Sequence, residues 1–80
     1  MISKVYYNRG NAKRMLQDYK SAVLDYSEAI IYEPNYQEAY MNRAAANLYL
    51  NNLSEACKDW KIAESLGSEK AKQIIQQYCK

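Results

Sequence analysis

The length and composition of the chain describe one small domain of ordinary polarity. It has 80 residues, of which 49% are apolar and 25% charged, and its 11 basic and 9 acidic side chains leave a net charge of +2. This small charge gives no support for a nucleic-acid or membrane-surface role. The longest mostly apolar stretch falls short of the roughly 18 residues that a membrane-spanning helix needs. We therefore expect neither nucleic acid nor membrane as a partner.

The residue types that catalysis and metal binding require are scarce. The sequence has no histidine, two cysteines and two glycines. A structural zinc site needs more Cys or His ligands than this, and a phosphate-binding loop needs clustered glycines. A Ser or Cys nucleophile needs an adjacent base such as His. We therefore predict that the chain is not an enzyme and carries no metal or other cofactor.

Helix-forming residues dominate the chain, and no stretch shows the alternation that is typical of a strand. The first two helices are predicted near Lys4–Gln17 and Tyr19–Tyr32. Pro34 breaks the chain after them, because proline cannot continue a helix and restrains the residue before it. Asn35 follows and is predicted to cap a third helix near Tyr36–Leu50.

Two further helices are predicted after this point. Asn51 and Asn52 form the turn that ends the third helix. Ser54 is predicted to cap the fourth helix and Gly67 to stop it, and Ser68 is then predicted to cap the fifth. The fourth helix runs to Leu66, and the fifth covers Glu69–Cys79.

An internal repeat with an offset of 34 residues organises the chain. Comparing residues 3–36 with residues 37–70 gives eight identical pairs, where chance gives about two. A fixed period of this length indicates a repeat architecture, and each repeat contains two of the predicted helices. The identical pairs are Tyr6/Tyr40, Asn8/Asn42, Arg9/Arg43, Ala12/Ala46, Leu16/Leu50, Ala22/Ala56, Asp25/Asp59 and Ala29/Ala63.

Small and large residues recur at positions that suit closely packed helix pairs. Gly10 and Ala22 in the first repeat, like Ala44 and Ala56 in the second, stand where two antiparallel helices must approach each other. A large side chain at these positions would push the helix axes apart. Aromatic residues are predicted to fill the space on either side of them, at Tyr6/Tyr40 and Tyr26/Trp60.

This arrangement resembles the tetratricopeptide repeat (TPR) family, in which small and aromatic residues recur in the same order before a proline. The sequence departs from the family pattern where Arg9 and Arg43 replace a Leu, where Lys13 and Asn47 replace a Tyr, and where Ser68 replaces the second Pro. The arginine stems are expected to pack while their charged heads stay in water. The matching residues are Tyr6, Gly10, Ala22, Tyr26, Ala29 and Pro34 in the first repeat, and Tyr40, Ala44, Ala56, Trp60 and Ala63 in the second.

The resemblance implies an all-α, TPR-type helical-hairpin solenoid of five helices, wound as a right-handed superhelix. Residues 1–80 would form a single TPR domain, with repeats at 3–36 and 37–70 and a capping helix at 69–79. Stacked repeats usually need about three units to bury enough surface, and nothing covers the outward edge of the first helix. We therefore expect a fragment of a longer array, or a chain that forms a homo-oligomer through that uncapped helix.

TPR arrays bind proteins or peptides, and the resemblance implies a concave groove lined by the first helix of each hairpin. The candidate residues mix amides, cations, Tyr and Met, which together can hold an extended peptide. They are Tyr7, Asn8, Asn11, Arg14, Met15, Met41, Asn42, Ala45, Tyr49 and Lys72, with Lys4, Glu38, Leu48, Ile75 and Gln76 beside them.

A narrower hypothesis is the carboxylate clamp with which some co-chaperone TPR domains hold acidic C-terminal tails. Asn11, Asn42 and Lys72 fall on three of its five positions if the fifth helix keeps the phase of the repeat, whereas Tyr7 and Gln76 replace two cations. Losing the clamp Arg costs about 1.5–3 kcal/mol of charge-assisted bonding, and the asparagines can instead bond to a neighbouring helix. A generic peptide groove is therefore the leading hypothesis, with the clamp and a self-associating structural element as alternatives.

The two cysteines stand at similar distances from Gly67, Cys57 ten residues before it and Cys79 twelve residues after it. In antiparallel helices, a rise of about 1.5 Å per residue would place them about 15 and 18 Å from the turn. One hypothesis is a disulfide that pins the fifth helix, which implies a periplasmic or extracellular location. The alternative is two reduced thiols in the cytoplasm, because equal height does not fix the direction in which each side chain points.

Overall fold

Five α-helices joined by short turns make up residues 2–79, which are the residues that the computed structural model describes. Each helix packs against the next one along the chain, so that α1/α2 and α3/α4 form two hairpins and α5 packs on α4. This arrangement confirms the predicted all-α solenoid of helical hairpins. The helices are α1 (Ile2–Met15), α2 (Tyr19–Tyr32), α3 (Gln37–Tyr49), α4 (Leu53–Ser65) and α5 (Glu69–Tyr78).

Two residues after the last residue of α1, α3 and α4, the chain has a residue in the left-handed region, which lets it reverse within one short turn. These residues are Gln17, Asn51 and Gly67, with φ angles of 62°, 63° and 105°. In each case the N–H of the following residue donates to a carbonyl five residues earlier in the chain, as in a Schellman motif. After the first of these ends, Asp18 caps α2 by accepting the N–H of Ser21 at 3.3 Å. Hydrogen bonds from Ser21 lower the pKa of Asp18.

The predicted helix caps are partly confirmed. Ser68 does cap α5, since its Oγ accepts the N–H of Ala71 at 3.1 Å. The predicted caps Asn35 and Ser54 are wrong. Asn35 lies within the turn after Pro34, so that α3 begins one residue later and Tyr36 takes the capping position. Ser54 already lies inside α4, because the tight end of α3 at Asn51 lets the next helix begin at Leu53.

The interface between the helices of each hairpin is built from small residues around one large aromatic ring. Tyr26 is fully buried in the first hairpin, and Trp60 is nearly so in the second. The alanines predicted at the close approaches, Ala22, Ala44 and Ala56, are fully buried. Ala29 and Ala63, which also recur in the repeat, are fully buried as well. The pattern read from the repeat therefore describes the core of both hairpins.

Gly10 lies directly against the ring of Tyr26, and replacing it by alanine is expected to destabilise the fold. A Cβ atom at Gly10 would lie 2.8 and 2.9 Å from two ring carbons of Tyr26. The gain in helix propensity is about 1 kcal/mol, but overpacking a filled core costs about 1–3 kcal/mol. We expect Gly10→Ala to lower the free energy of unfolding by about 1 kcal/mol in a urea titration. A variant as stable as the parent would show that the ring can move aside.

Candidate peptide-binding face

Side chains from α1, α3 and α5 form one continuous surface, here called the inner face. Tyr7 lies on α1, Met41 and Asn42 lie on α3, and Ile74 and Tyr78 lie on α5. The three helices lie side by side because α2 returns the chain from α1 to α3, and α4 returns it from α3 to α5. The inner face therefore collects residues that are far apart in the sequence, such as Tyr7 and Met41, which are 34 positions apart, and Asn42 and Ile74, which are 32 positions apart.

A hydrogen-bonded network of asparagine and tyrosine side chains occupies the part of this face between α1 and α3. The Asn42 Nδ2 donates to the Tyr7 hydroxyl and to the Asn11 Oδ1, each at 3.0 Å. The Tyr26 hydroxyl also donates to the Asn11 Oδ1 and accepts from the Arg14 Nε at 3.2 Å. Burial raises the pKa of Tyr26, which keeps its hydroxyl protonated as the donor. The network fixes polar groups from three helices in one place.

Two adjoining hollows lie along the inner face beside this network. The polar hollow has a volume of about 290 Å³ and carries one acid, Glu38, and one base, Lys70. The apolar hollow has a volume of about 480 Å³, and no charged residue lines it. The polar hollow is lined by Tyr7, Gln37, Glu38, Met41, Asn42, Ser68 and Lys70. The apolar hollow is lined by Met41, Asn42, Ala45, Leu48, Tyr49, Trp60, Ile74, Gln77 and Tyr78.

The two helices of each hairpin are also joined by a bidentate ion pair, which was not predicted from the sequence. Arg9 donates from Nε and Nη2 to Asp25 at 3.0 and 2.8 Å, and Arg43 donates in the same way to Asp59 at 2.8 Å for both bonds. Arg43 also donates to the Ser27 hydroxyl of α2 at 3.0 Å. The expectation that the arginine heads stay in water is wrong for Arg43, whose side chain is only 22% exposed. The signal was present, because both partners recur at the offset of 34.

The two cysteines meet at the far end of the inner face. A disulfide joins Cys57 on α4 to Cys79, which follows the last residue of α5, and their Cα atoms lie 5.8 Å apart. The disulfide ties the C-terminal end of α5 to α4, and the last residue of α5, Tyr78, lines the apolar hollow. Within residues 2–79, no group of three or more Cys, Asp or Glu side chains is placed to hold a metal ion. None of the described helices has both the length and the apolar character to cross a membrane.

Comparison with known proteins identifies the architecture. Residues 3–36 match the family model described as tetratricopeptide repeat. The chain belongs to the tetratricopeptide repeat family. TPR proteins bind proteins or peptides, so the chain has a role in protein interaction.

Several curated relatives are much longer than this chain. It is 35% identical over 69 residues to a DnaJ homolog subfamily C member 7 homolog of Dictyostelium discoideum, covering 86% of this chain and 13% of that protein. It is 37% identical over 78 residues to tetratricopeptide repeat protein 4 of Mus musculus, covering 92% and 20%. It is 35% identical over 57 residues to serine/threonine-protein phosphatase T of Aspergillus oryzae, covering 71% and 12%. The chain thus spans a fifth or less of each of these relatives.

The ten peptide-binding residues predicted for the TPR groove fall into three groups in the structure. Five line the two hollows, two more belong to the asparagine–tyrosine network, and three lie outside both. The first group is Tyr7, Met41, Asn42, Ala45 and Tyr49, the second is Asn11 and Arg14, and the third is Asn8, Met15 and Lys72, which are exposed.

The clamp positions are only partly brought together. Asn11 and Asn42 lie within hydrogen-bond distance of each other. Lys72 is exposed and borders neither hollow, and the lysine of α5 that does border one is Lys70. Lys70, Gln77 and Trp60 also line the hollows but were not predicted as groove residues, because their places there depend on how α5 is rotated against α4.

Proposed function

We propose that the inner face binds an extended peptide segment of a partner protein. The observation that carries this proposal is the asparagine–tyrosine network beside two open hollows. The Asn11 Nδ2 forms no hydrogen bond with another described residue, and the Tyr7 hydroxyl accepts from Asn42 while keeping its own proton. Both groups can therefore donate to the carbonyl groups of a peptide backbone, which is how main-chain recognition gains affinity without regard to sequence.

The charges of the inner face favour a generic groove over a carboxylate clamp. Two carboxylates held together need convergent cationic donors. Near the paired asparagines, the Arg14 Nε is already engaged with the Tyr26 hydroxyl, and Lys70 shares its hollow with Glu38. A ligand with one polar and one apolar side chain matches this surface better than a purely acidic tail.

The experiment selects decapeptides from a random library displayed on phage. The affinity of the selected peptides is then measured by fluorescence anisotropy after labelling. Asn42→Ala should weaken binding about tenfold, because the Asn42 amide holds the Tyr7 hydroxyl and the Asn11 side chain in position to donate to the peptide. Asn8→Ala is the matched control, since Asn8 occupies the equivalent position of the first repeat but is exposed and outside both hollows. Equal binding by the two variants would reject the inner face as the peptide site.

The same peptides, prepared with free and amidated C-termini, separate the groove from the clamp. A groove that reads internal residues should bind both forms with similar affinity at low and moderate salt. Loss of binding on amidation, together with sensitivity to salt, would instead support the clamp.

A second candidate function, self-association, has one specific observation in its favour. Ala46 on α3 is fully buried with Ala22, Tyr26 and Val23 of α2, whereas Ala12, its equivalent on α1, is exposed. We propose that residues 37–70 form a second repeat, and that the uncovered face of α1 accepts another helix, from a longer array or from a second copy. A molar mass that rises with concentration, with no peptide selected by the library, would favour this function.

A further inference from the structure

The apolar hollow between α3 and α5 differs in chemistry from the rest of the inner face. Tyr49 and Leu48 border it from α3, Ile74 and Tyr78 border it from α5, and Trp60 of α4 lies between them. The indole ring of Trp60 is packed against the ring of Tyr78, with the ring centres 5.6 Å apart. Three aromatic rings therefore surround an opening that no charged side chain lines.

We propose that this hollow is an anchor site for one large apolar side chain, of the size of leucine, methionine or phenylalanine, carried by the bound peptide. The proposal rests on the proposed peptide-binding function and adds the chemistry that the site selects. A charged side chain placed in the hollow would lose its hydration without meeting an opposite charge. An apolar side chain would gain contact with the aromatic rings and with Met41, whose flexible thioether adapts to different shapes.

The position of the hollow explains why the occupant belongs to a peptide. The apolar and polar hollows share Met41 and Asn42, and the same Asn42 takes part in the asparagine–tyrosine network. A peptide backbone held by the amides therefore passes between the two openings. Its apolar side chain enters the apolar hollow. A neighbouring charged side chain of the peptide enters the polar hollow, where a basic one meets Glu38 and an acidic one meets Lys70.

Trp60 provides a reporter that does not depend on any selected peptide, because it is the single tryptophan of the sequence. Its indole N–H gives one resolvable signal in a ¹H–¹⁵N NMR spectrum. We expect N-acetyl-leucinamide at millimolar concentration to shift this signal in a saturable way, and N-acetyl-lysinamide to leave it unchanged. Equal shifts with both compounds, or no shift with the leucine compound, would overturn the anchor site.

Two variants test whether the shift arises in the hollow. Ala45→Leu fills the opening from α3 with a good helix former and should abolish the response to the leucine compound. Tyr49→Ala removes one exposed wall and should weaken the response even if Ala45→Leu is poorly folded, which thermal melting would reveal. A response that survives both changes would place binding elsewhere and overturn the proposal.

The peptides selected in the library experiment provide the second arm. Replacing their apolar anchor by alanine should weaken binding about 10- to 100-fold, as expected for the loss of a buried leucine or phenylalanine side chain. In Ala45→Leu this loss should largely disappear, because the two changes remove the same contact. If peptides depend on Asn42 but tolerate alanine at every apolar position, the anchor fails while the peptide groove stands.

Discussion

Replacing Arg43 by methionine is expected to lower the free energy of unfolding by about 3–5 kcal/mol, as for other ion pairs broken by removing one buried partner. Asp59 is only 4% exposed, and Arg43 supplies both of its charged hydrogen bonds. Without Arg43 the carboxylate stays buried with no opposite charge. A domain of this length has a total stability of about 4–12 kcal/mol, so the variant would lose a large share of it.

The first repeat supplies a matched control in Arg9→Met. Asp25 is buried to a similar extent, but the Arg9 side chain is 59% exposed. Water can reach the carboxylate once the arginine is removed, so we expect a clearly smaller loss. Guanidinium titrations of both variants measure the difference. Equal losses would mean that the burial of the pair does not determine its contribution.

A double variant shows whether the unpaired buried charge or the hydrogen bond to Ser27 accounts for the loss at the second pair. Replacing both partners, as in Arg43→Met with Asp59→Leu, should recover much of the lost stability, because no buried charge is then left unpaired. Failure to recover would assign the effect to the hydrogen bond from Arg43 to Ser27, which links α3 to the preceding helix.

The fold could be predicted from the sequence because the repeat expresses one local unit twice. Small residues such as Gly10 and Ala44 recur where helices approach, and the aromatic residues Tyr26 and Trp60 recur beside them. The capping side chains were harder to predict. Ser and Asn favour the start of a helix, but the residue at which the helix begins depends on how tightly the previous turn closes. Before α4, the left-handed residue Asn51 closes the turn early, so that the helix begins at Leu53.

The candidate site was less accessible to sequence analysis, because it depends on the rotation of each helix. Asn11 and Asn42 could be placed on one face from the family pattern. Their hydrogen bond to each other, and the bond that the Tyr26 hydroxyl of α2 donates to Asn11, could not be predicted. The position of α5 follows from tertiary packing, with Ala71 fully buried. This packing brings Lys70, rather than Lys72, to the polar hollow.

Reducing the disulfide between Cys57 and Cys79 is expected to destabilise the protein and to loosen α5. The cross-link closes a loop with a sequence separation of 22, for which the loop-entropy model gives a contribution of roughly 3 kcal/mol. In a domain of this size, that corresponds to a fall in Tm on the order of 10–20 °C. The helix is also short, with 10 residues, and a helix of this length is marginal without tertiary contacts.

Melting curves with and without a phosphine reductant measure the effect, and the double variant Cys57→Ser with Cys79→Ser provides the control. The variant should melt like the reduced protein and should not respond to reductant. Two reactive thiols in protein purified without reductant, or a Tm unchanged when thiol titration shows complete reduction, would contradict the prediction. Hydrogen exchange then locates the effect. Faster exchange confined to α5 would show fraying of the folded state, whereas a uniform loss of protection across α1–α4 would place the effect in the unfolded chain.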